Sequence, residues 1–191
     1  MRTGTVAAAI ALALPTLLCA QAPLPAETQI TAAVGPLPAQ FRADATVFGY
    51  AAGKTGLVTL RQGKNTFICL ADDPSDERFH VACYHDSLEP FMLRGRELRA
   101  QGVTNVDSAR YAEIDNGKLK MAKGPAALYS LTAAGKPAAD GTSPNPRSLY
   151  VIYVPFATAE TTGLPTRPEG NSPWLMMPGT AKAHVMFTPR M

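Results

Sequence analysis

The side chains best suited to chemistry in this chain are three histidines, two cysteines beyond residue 20 and a cluster of methionines near the C-terminus. His80 and His85 flank Cys83, and His184 stands two positions before Met186. In an extended segment residues i and i+2 share a face, so Cys83 and His85 are expected side by side, and His184 beside Met186. Imidazole next to thioether is a soft donor pair that suits copper. Asp86 follows His85 directly and is placed to orient its ring, as carboxylates behind metal-binding histidines do. With a serine brought close by folding, the same His85–Asp86 pair would suit a hydrolase. The competing reading makes His85 and His184 satisfied structural residues, with Met176, Met177 and Met186 filling irregular core gaps. Three histidines in 191 residues favour that structural reading.

Other patterns carry less. Gly49–Thr55 imitates a phosphate-binding loop, but it has three intervening residues where four are needed and lies between two expected strands instead of opening a helix. Arg94, Arg96 and Arg99 would grip an anion or, as a solvated face near a helix C-terminus, complement its dipole. Asp72, Asp73, Asp76 and Glu77 lack the alternation of a calcium loop and read as a solvated acidic loop. Trp174, the single tryptophan, is a stacking platform for a sugar or aromatic ligand, or else a core plug. No G-x-S-x-G, H-E-x-x-H or C-x-x-C occurs. No motif calls for a cofactor.

The cysteines point to a compartment. Residues 1–20 have a charged start, an apolar run from Val6 to Leu18 and a small-residue end, the pattern of an export signal. Cleavage after Ala20 would leave Gln21 first. The lipoprotein alternative at Cys19 is weakened by the bulky Leu18 before it. The mature chain then holds Cys69 and Cys83, and an even pair in an oxidising compartment is expected to form a disulfide. The rival is a metal site from Cys69, His80, Cys83 and His85, whose spacing matches no zinc pattern. A periplasmic or extracellular protein is therefore expected. No second apolar run would span a membrane after signal removal. The formal charge of +3 is too small to indicate nucleic acid as a partner. A small molecule or an envelope protein remains as partner.

Positioning these residues requires a fold. Residues 21–40 carry Pro23, Pro25, Pro36 and Pro38 among small residues and read as a flexible tether, leaving one globular domain over 41–191. Strands are expected at Ala45–Tyr50, Leu57–Leu60 and Thr66–Leu70, as an antiparallel meander. Between the cysteines a polar loop is expected. Leu88, Phe91, Met92, Gly95 and Leu98 recur at helical spacing, with Gly102 as the stop. Asn116-Gly117 marks a hairpin over Tyr111–Met121, with a helix over Asp107–Ile114 as the alternative. Gly117 is expected to tolerate substitution less well than Gly141. Further strands are expected at Ala126–Leu131, Leu149–Phe156 and Ala183–Thr188. The fold class is α+β, a mainly antiparallel sheet with one principal helix packed on it.

Two segments resemble a known family. Leu60-Arg61-Gln62-Gly63-Lys64-Asn65-Thr66-Phe67-Ile68-Cys69 and the ending Pro173–Met186 are similar to a family of uncharacterised secreted bacterial proteins. That family shares an L-R-x-G-x-N-x-x-x-C start, a second cysteine soon after, and a P-x-x-M-x-x-G-T-x-x-A-H-x-M end; Phe67 stands where the family has tryptophan. The resemblance implies export and a single fold from about residue 45, and ties the Cys69–Cys83 pair and the His184 segment into one design. It implies no activity. A non-enzymatic envelope or extracellular protein that binds a small ligand or partner is the leading expectation, with His85, Trp174 and His184 as candidate ligand contacts. A copper-handling protein using His184 and Met186 is the second, and a hydrolase the third.

Overall fold

The computed structural model describes residues 22–188, so the expected signal and its cleavage point before Gln21 lie outside the described residues. The elements run α1 (Ala26–Ala33), α2 (Ala39–Arg42), β1 (Thr46–Gly49), β2 (Val58–Arg61), β3 (Phe67–Leu70), β4 (Phe79–His85), a 3-10 turn (Asp86–Leu88), α3 (Glu89–Ala100), α4 (Val106–Asp115), β5 (Ala126–Ala133), β6 (Arg147–Tyr153), α5 (Ala159–Thr162), β7 (Trp174–Met176) and β8 (His184–Phe187). All eight strands join one sheet in the order β2-β1-β3-β4-β5-β6-β8-β7. Every pairing is antiparallel except β1 with β3. The α+β class and the mainly antiparallel sheet hold. The meander does not: β1 lies between β2 and β3 and runs parallel to β3.

Helices cover both faces of the sheet. On one face Tyr84, Leu88, Phe91, Leu119, Ala126, Val151 and Tyr153 form a core beneath α3 and α4. On the other, Ile30, Ala33, Val34 and Leu37 pack on Val47, Phe67, Cys69 and Cys83. The single principal helix of the sequence reading is thus replaced by α3 and α4 together, with α1 opposite them.

The flexible tether is corrected by the same core. Ile30, Ala33 and Val34 keep the i, i+3, i+4 spacing of a helix face, Leu37 joins them from the turn that follows, and all four are buried. Pro25 stands just before the helix, where its fixed φ fits, and Gly35 and Pro36 end it. Gln29 is buried with its amide fully engaged. Its Nε2 donates to the carbonyls of Leu24 (2.6 Å) and Tyr50 (2.8 Å), and its Oε1 accepts the Tyr50 N–H at 2.9 Å. The prolines bracket a packed helix instead of diluting structure.

The Arg61-x-Gly63-x-Asn65 motif fastens the next segment down. Arg61 donates from Nε to the Ala45 carbonyl at 3.0 Å and from Nη2 to that of Arg42. Asn65 Nδ2 donates to the Phe41 carbonyl at 2.8 Å, and its Oδ1 accepts the Phe67 N–H. A Cβ on Gly63 would lie 2.2 Å from Thr46 N, so only glycine allows this backbone approach. These bonds satisfy the chain entering β1 and the chain entering β3 at once.

Two further expectations change. The polar loop between the cysteines ends early, because Phe79, Val81 and Cys83 alternate inward and build β4, the longest strand on this side of the sheet. The hairpin at Asn116-Gly117 is instead the end of α4. Asn105 caps the start by accepting the Ser108 N–H, and Gly117, at φ +76°, closes the last turn with its N–H on the Ile114 carbonyl. Asn-Gly serves a helix C-terminus as readily as a hairpin, since both need positive φ.

Two outcomes follow for stability. A chain starting at residue 39 should lose cooperative thermal unfolding, because Leu37 and its neighbours leave the core and truncating one such buried leucine alone costs about 2–5 kcal/mol. Circular-dichroism melting checks it; a parent-like transition would restore the tether. The expected order of glycines is also reversed. Gly141, at φ +82°, would place a Cβ 3.1 Å from Ala32 N and Thr28 O of α1, whereas Gly117 has open space around it. Gly141→Val should therefore lower the melting temperature more than Gly117→Val.

Candidate functional site

Cys69 and Cys83 are bonded and directly opposite one another on β3 and β4. Their Cα atoms are 4.0 Å apart, the close spacing of a non-hydrogen-bonded pair. The four-residue metal site is thereby overturned: both thiolates are consumed. His80 in addition points away from the cysteine face, three positions before Cys83 on the strand. Among the described residues no three His, Cys, Asp or Glu side chains are grouped to hold a metal. Two acids of the 72–77 loop are used internally, Asp72 pairing with Lys136 at 2.8 Å and Asp73 accepting from Ser75, while Asp76 and Glu77 are exposed as expected.

His85 lies beside the disulfide face, edge-on to Phe67. Its Nδ1 is 2.8 Å from Ser87 Oγ, accepts the Ser87 N–H at 3.2 Å, and is 3.2 Å from Asp86 Oδ1. A nucleophile–base relay needs serine on one ring nitrogen and carboxylate on the other. Here serine and carboxylate crowd the same nitrogen, so the arrangement caps the turn that leads into α3 and does not form a hydrolase triad.

His184 and Trp174 do come together, without His85. On the ladder joining β7 to β8, Trp174 is opposite Met186 and Met176 is opposite His184. Directly opposed residues share a face, so all four point to the α3–α4 side of the sheet, on strands three (β8) and four (β7) away from β4. The His184 ring is buried and stacks on Tyr153 with centroids 5.2 Å apart. Its Nδ1 is 2.6 Å from the Lys182 carbonyl, an atom that only accepts, so Nδ1 carries the proton. Burial holds the imidazole below its ordinary pKa; the Lys182 carbonyl opposes this and the Lys182 charge adds to it. The Tyr153 phenol is pushed up to about 12, chiefly by burial.

Behind His184 lies a chain of charges that the sequence did not betray. Lys182 pairs with Asp107 at 2.8 Å, and Asp107 pairs with Arg110. Arg110 is buried at 4% exposure, its guanidinium 3.7 Å from the centroid of the Phe91 ring and donating to the Phe91 carbonyl. Gly95 leaves the room: a Cβ there would sit 2.8 Å from Arg110 Nη1. Burial alone would raise the Asp107 pKa, but the hydrogen bonds from Lys182 and Arg110 hold it below the usual carboxylate range. Two of the three α3 arginines are engaged within the protein, and Arg99 is exposed. Arg94 makes a two-pronged pair with Glu113 at 2.7 and 2.6 Å, and Arg96 donates to Glu89 and to the Tyr84 hydroxyl.

The opposite face of the sheet holds the largest feature that sequence reasoning missed. Tyr129, Tyr150 and Phe187 are directly opposed across β5, β6 and β8. The rings of Tyr129 and Tyr150 meet edge to face at 5.4 Å, and Phe67 continues the series at 5.9 Å from Tyr129. Helix α1 covers this face over β1 to β5, and Val154, Ala157 and Leu164 cover it over β7 and β8. Between the two covers runs a groove of about 450 Å³, floored by Tyr129, Tyr150, Ile152 and Phe187, with Asn171 and Thr188 at its rim. Tyr150 and Ile152 are 39% and 36% exposed. The signal was present in Leu149–Tyr153, which is apolar or aromatic on both faces where a half-solvated strand would alternate.

No family model, curated protein or solved structure matches this chain.

The state of His184 gives a pH prediction. Because its folded pKa lies below the ordinary 6.5, the unfolded chain binds the proton more tightly. Stability conferred by the neutral ring is complete above about 6.5 and is lost as pH falls below that value. His80, also depressed by burial, acts in the same direction. Denaturant melts between pH 7.5 and 5 should show this decline, and His184→Gln should flatten part of it; an unchanged slope in the variant would refute the assignment.

Proposed function

We propose that this chain is a non-catalytic binding domain of the cell envelope or extracellular space, and that the Tyr129–Tyr150–Phe187 row is its ligand surface. The observation that carries this reading is the groove left between the two covers of the sheet. An aromatic strip uncovered on an otherwise packed sheet face marks a binding surface more often than a defect of packing. Its size falls within the few-hundred-Å³ range of small-molecule sites.

The lining chooses the ligand chemistry. Among the described residues the lining is apolar, aromatic or uncharged polar. Flat rings with phenol hydroxyls at their margins suit a molecule with an apolar face and a hydroxylated edge, and an uncharged sugar ring has that form. Export is supported by the leader-like residues 1–20, by the Cys69–Cys83 bond and by the resemblance to secreted proteins. No helix among the described residues is long and apolar enough to cross a membrane.

The test uses a panel of neutral oligosaccharides, cellotetraose and chitotetraose among them, followed by tyrosine fluorescence and calorimetry. Binding by the parent chain, weakened at least tenfold in Tyr150→Ala with an unchanged melting temperature, is expected. No binding across the panel would overturn the sugar assignment. A concentration-dependent dimer that Tyr150→Arg dissolves would reassign the groove to a second copy of the chain.

A further inference from the structure

We infer that the edge of the sheet formed by β7 and β8 binds a single reduced copper ion through His184, Met176 and Met186, with Trp174 against the bound cation. The site faces the opposite side of the sheet from the aromatic groove and stands independently of it.

Strand register brings the donors to one face. His184 and Met186 are two apart on β8, and their direct partners on β7 are Met176 and Trp174. Met176 is directly opposite His184, with Cβ atoms of such a pair about 4.5–5.5 Å apart, and Met186 is two residues along the strand, about 7 Å away; long, flexible thioethers can close both spans onto one ion. One imidazole and two thioethers form a soft, uncharged donor set. That set selects monovalent copper over zinc, magnesium or calcium, which need thiolate, carboxylate or further imidazole.

The imidazole is prepared for the role. The Lys182 carbonyl fixes the proton on Nδ1, which leaves the Nε2 lone pair as the donor. Nε2 has no hydrogen-bond partner among the described residues and is not among the buried atoms left unsatisfied. Tyr153 holds one face of the ring by stacking, so the ring plane is set before any ion arrives. Two cations lie behind the ring, Lys182 and Arg110, and both are paired with Asp107. Met176, at 37% exposure on the edge strand, gives solvent access to the pair. An indole in the neighbouring register position supplies a π face for a cation.

Sequence spacing alone shows only the His184–Met186 pair. The two β7 partners are ten and twelve positions away and become neighbours only through the ladder.

The full chain, purified without an affinity tag and with its disulfide intact, is titrated with Cu(I) held reduced by ascorbate against bicinchoninate as competitor. One copper per chain and quenching of the emission of Trp174, the single tryptophan, are expected. His184→Gln and Met176→Leu should each weaken binding at least tenfold, and Zn(II) should not compete. If His184→Gln fails to fold, Met176→Leu decides the matter, since that side chain lies at the exposed edge. Absence of copper binding by the parent, or binding unchanged in the Met176→Leu variant, overturns the site.

Discussion

A slip of one residue between β3 and β4 would send every side chain of β4 to the wrong face of the sheet, and the Cys69–Cys83 bond forbids it. Strand side chains alternate with period two, so register alone decides which layer each residue joins. The bond locks the β3–β4 register, and the pairings of β4 with β5, β5 with β6 and β6 with β8 extend the same rows across the sheet. Cys83 opposite Tyr129, Tyr129 opposite Tyr150, and Tyr150 opposite Phe187 then form one straight row on the α1 face. Tyr84, Leu128, Val151 and Met186 form the next row, on the opposite face. The aromatic groove and the His184 edge lie on opposite faces of this common register.

A second constraint acts on the α3–α4 side. Arg110 is a buried cation, and leaving such a charge without its partner costs about 3–5 kcal/mol. It is matched by Asp107, by the Phe91 ring and carbonyl, and by the gap that Gly95 provides. Asp107 in turn holds Lys182, two residues before His184. The first turn of α4 is therefore linked to the entry of β8 by charge, while Tyr153 links the same histidine to β6 by stacking. The ring orientation of His184 is determined from two elements far apart in sequence.

This explains what could be read from the sequence and what could not. The strands from Ala126, Leu149 and Ala183 were legible because each is a compact apolar run between turn residues. The helix over Glu89–Ala100 was legible from its spacing, and the disulfide from the count of cysteines. Helix α1 was hidden by its prolines, although its buried residues keep helical spacing. Helix α4 was obscured by Asn116-Gly117, whose need for positive φ is shared by two kinds of chain reversal. The candidate sites were half visible. His184, Met186 and Trp174 were named, but their meeting depends on which strand follows β6 in the sheet, and β8 takes that place ahead of β7. Arg110 and its partners left no trace, since a lone arginine in a helix reads as a surface residue until the fold surrounds it.

The two ends of the sheet are both short, with β2 four residues long and β7 three. On β7 the Leu175 N–H is already taken by the Pro165 carbonyl, so the outermost strand offers little free backbone to another molecule. A sheet this wide would otherwise present a template along each border for intermolecular β-pairing. The borders are stunted, while the aromatic strip presents side chains from the interior of one face. Short borders of this kind work against growth into fibrils.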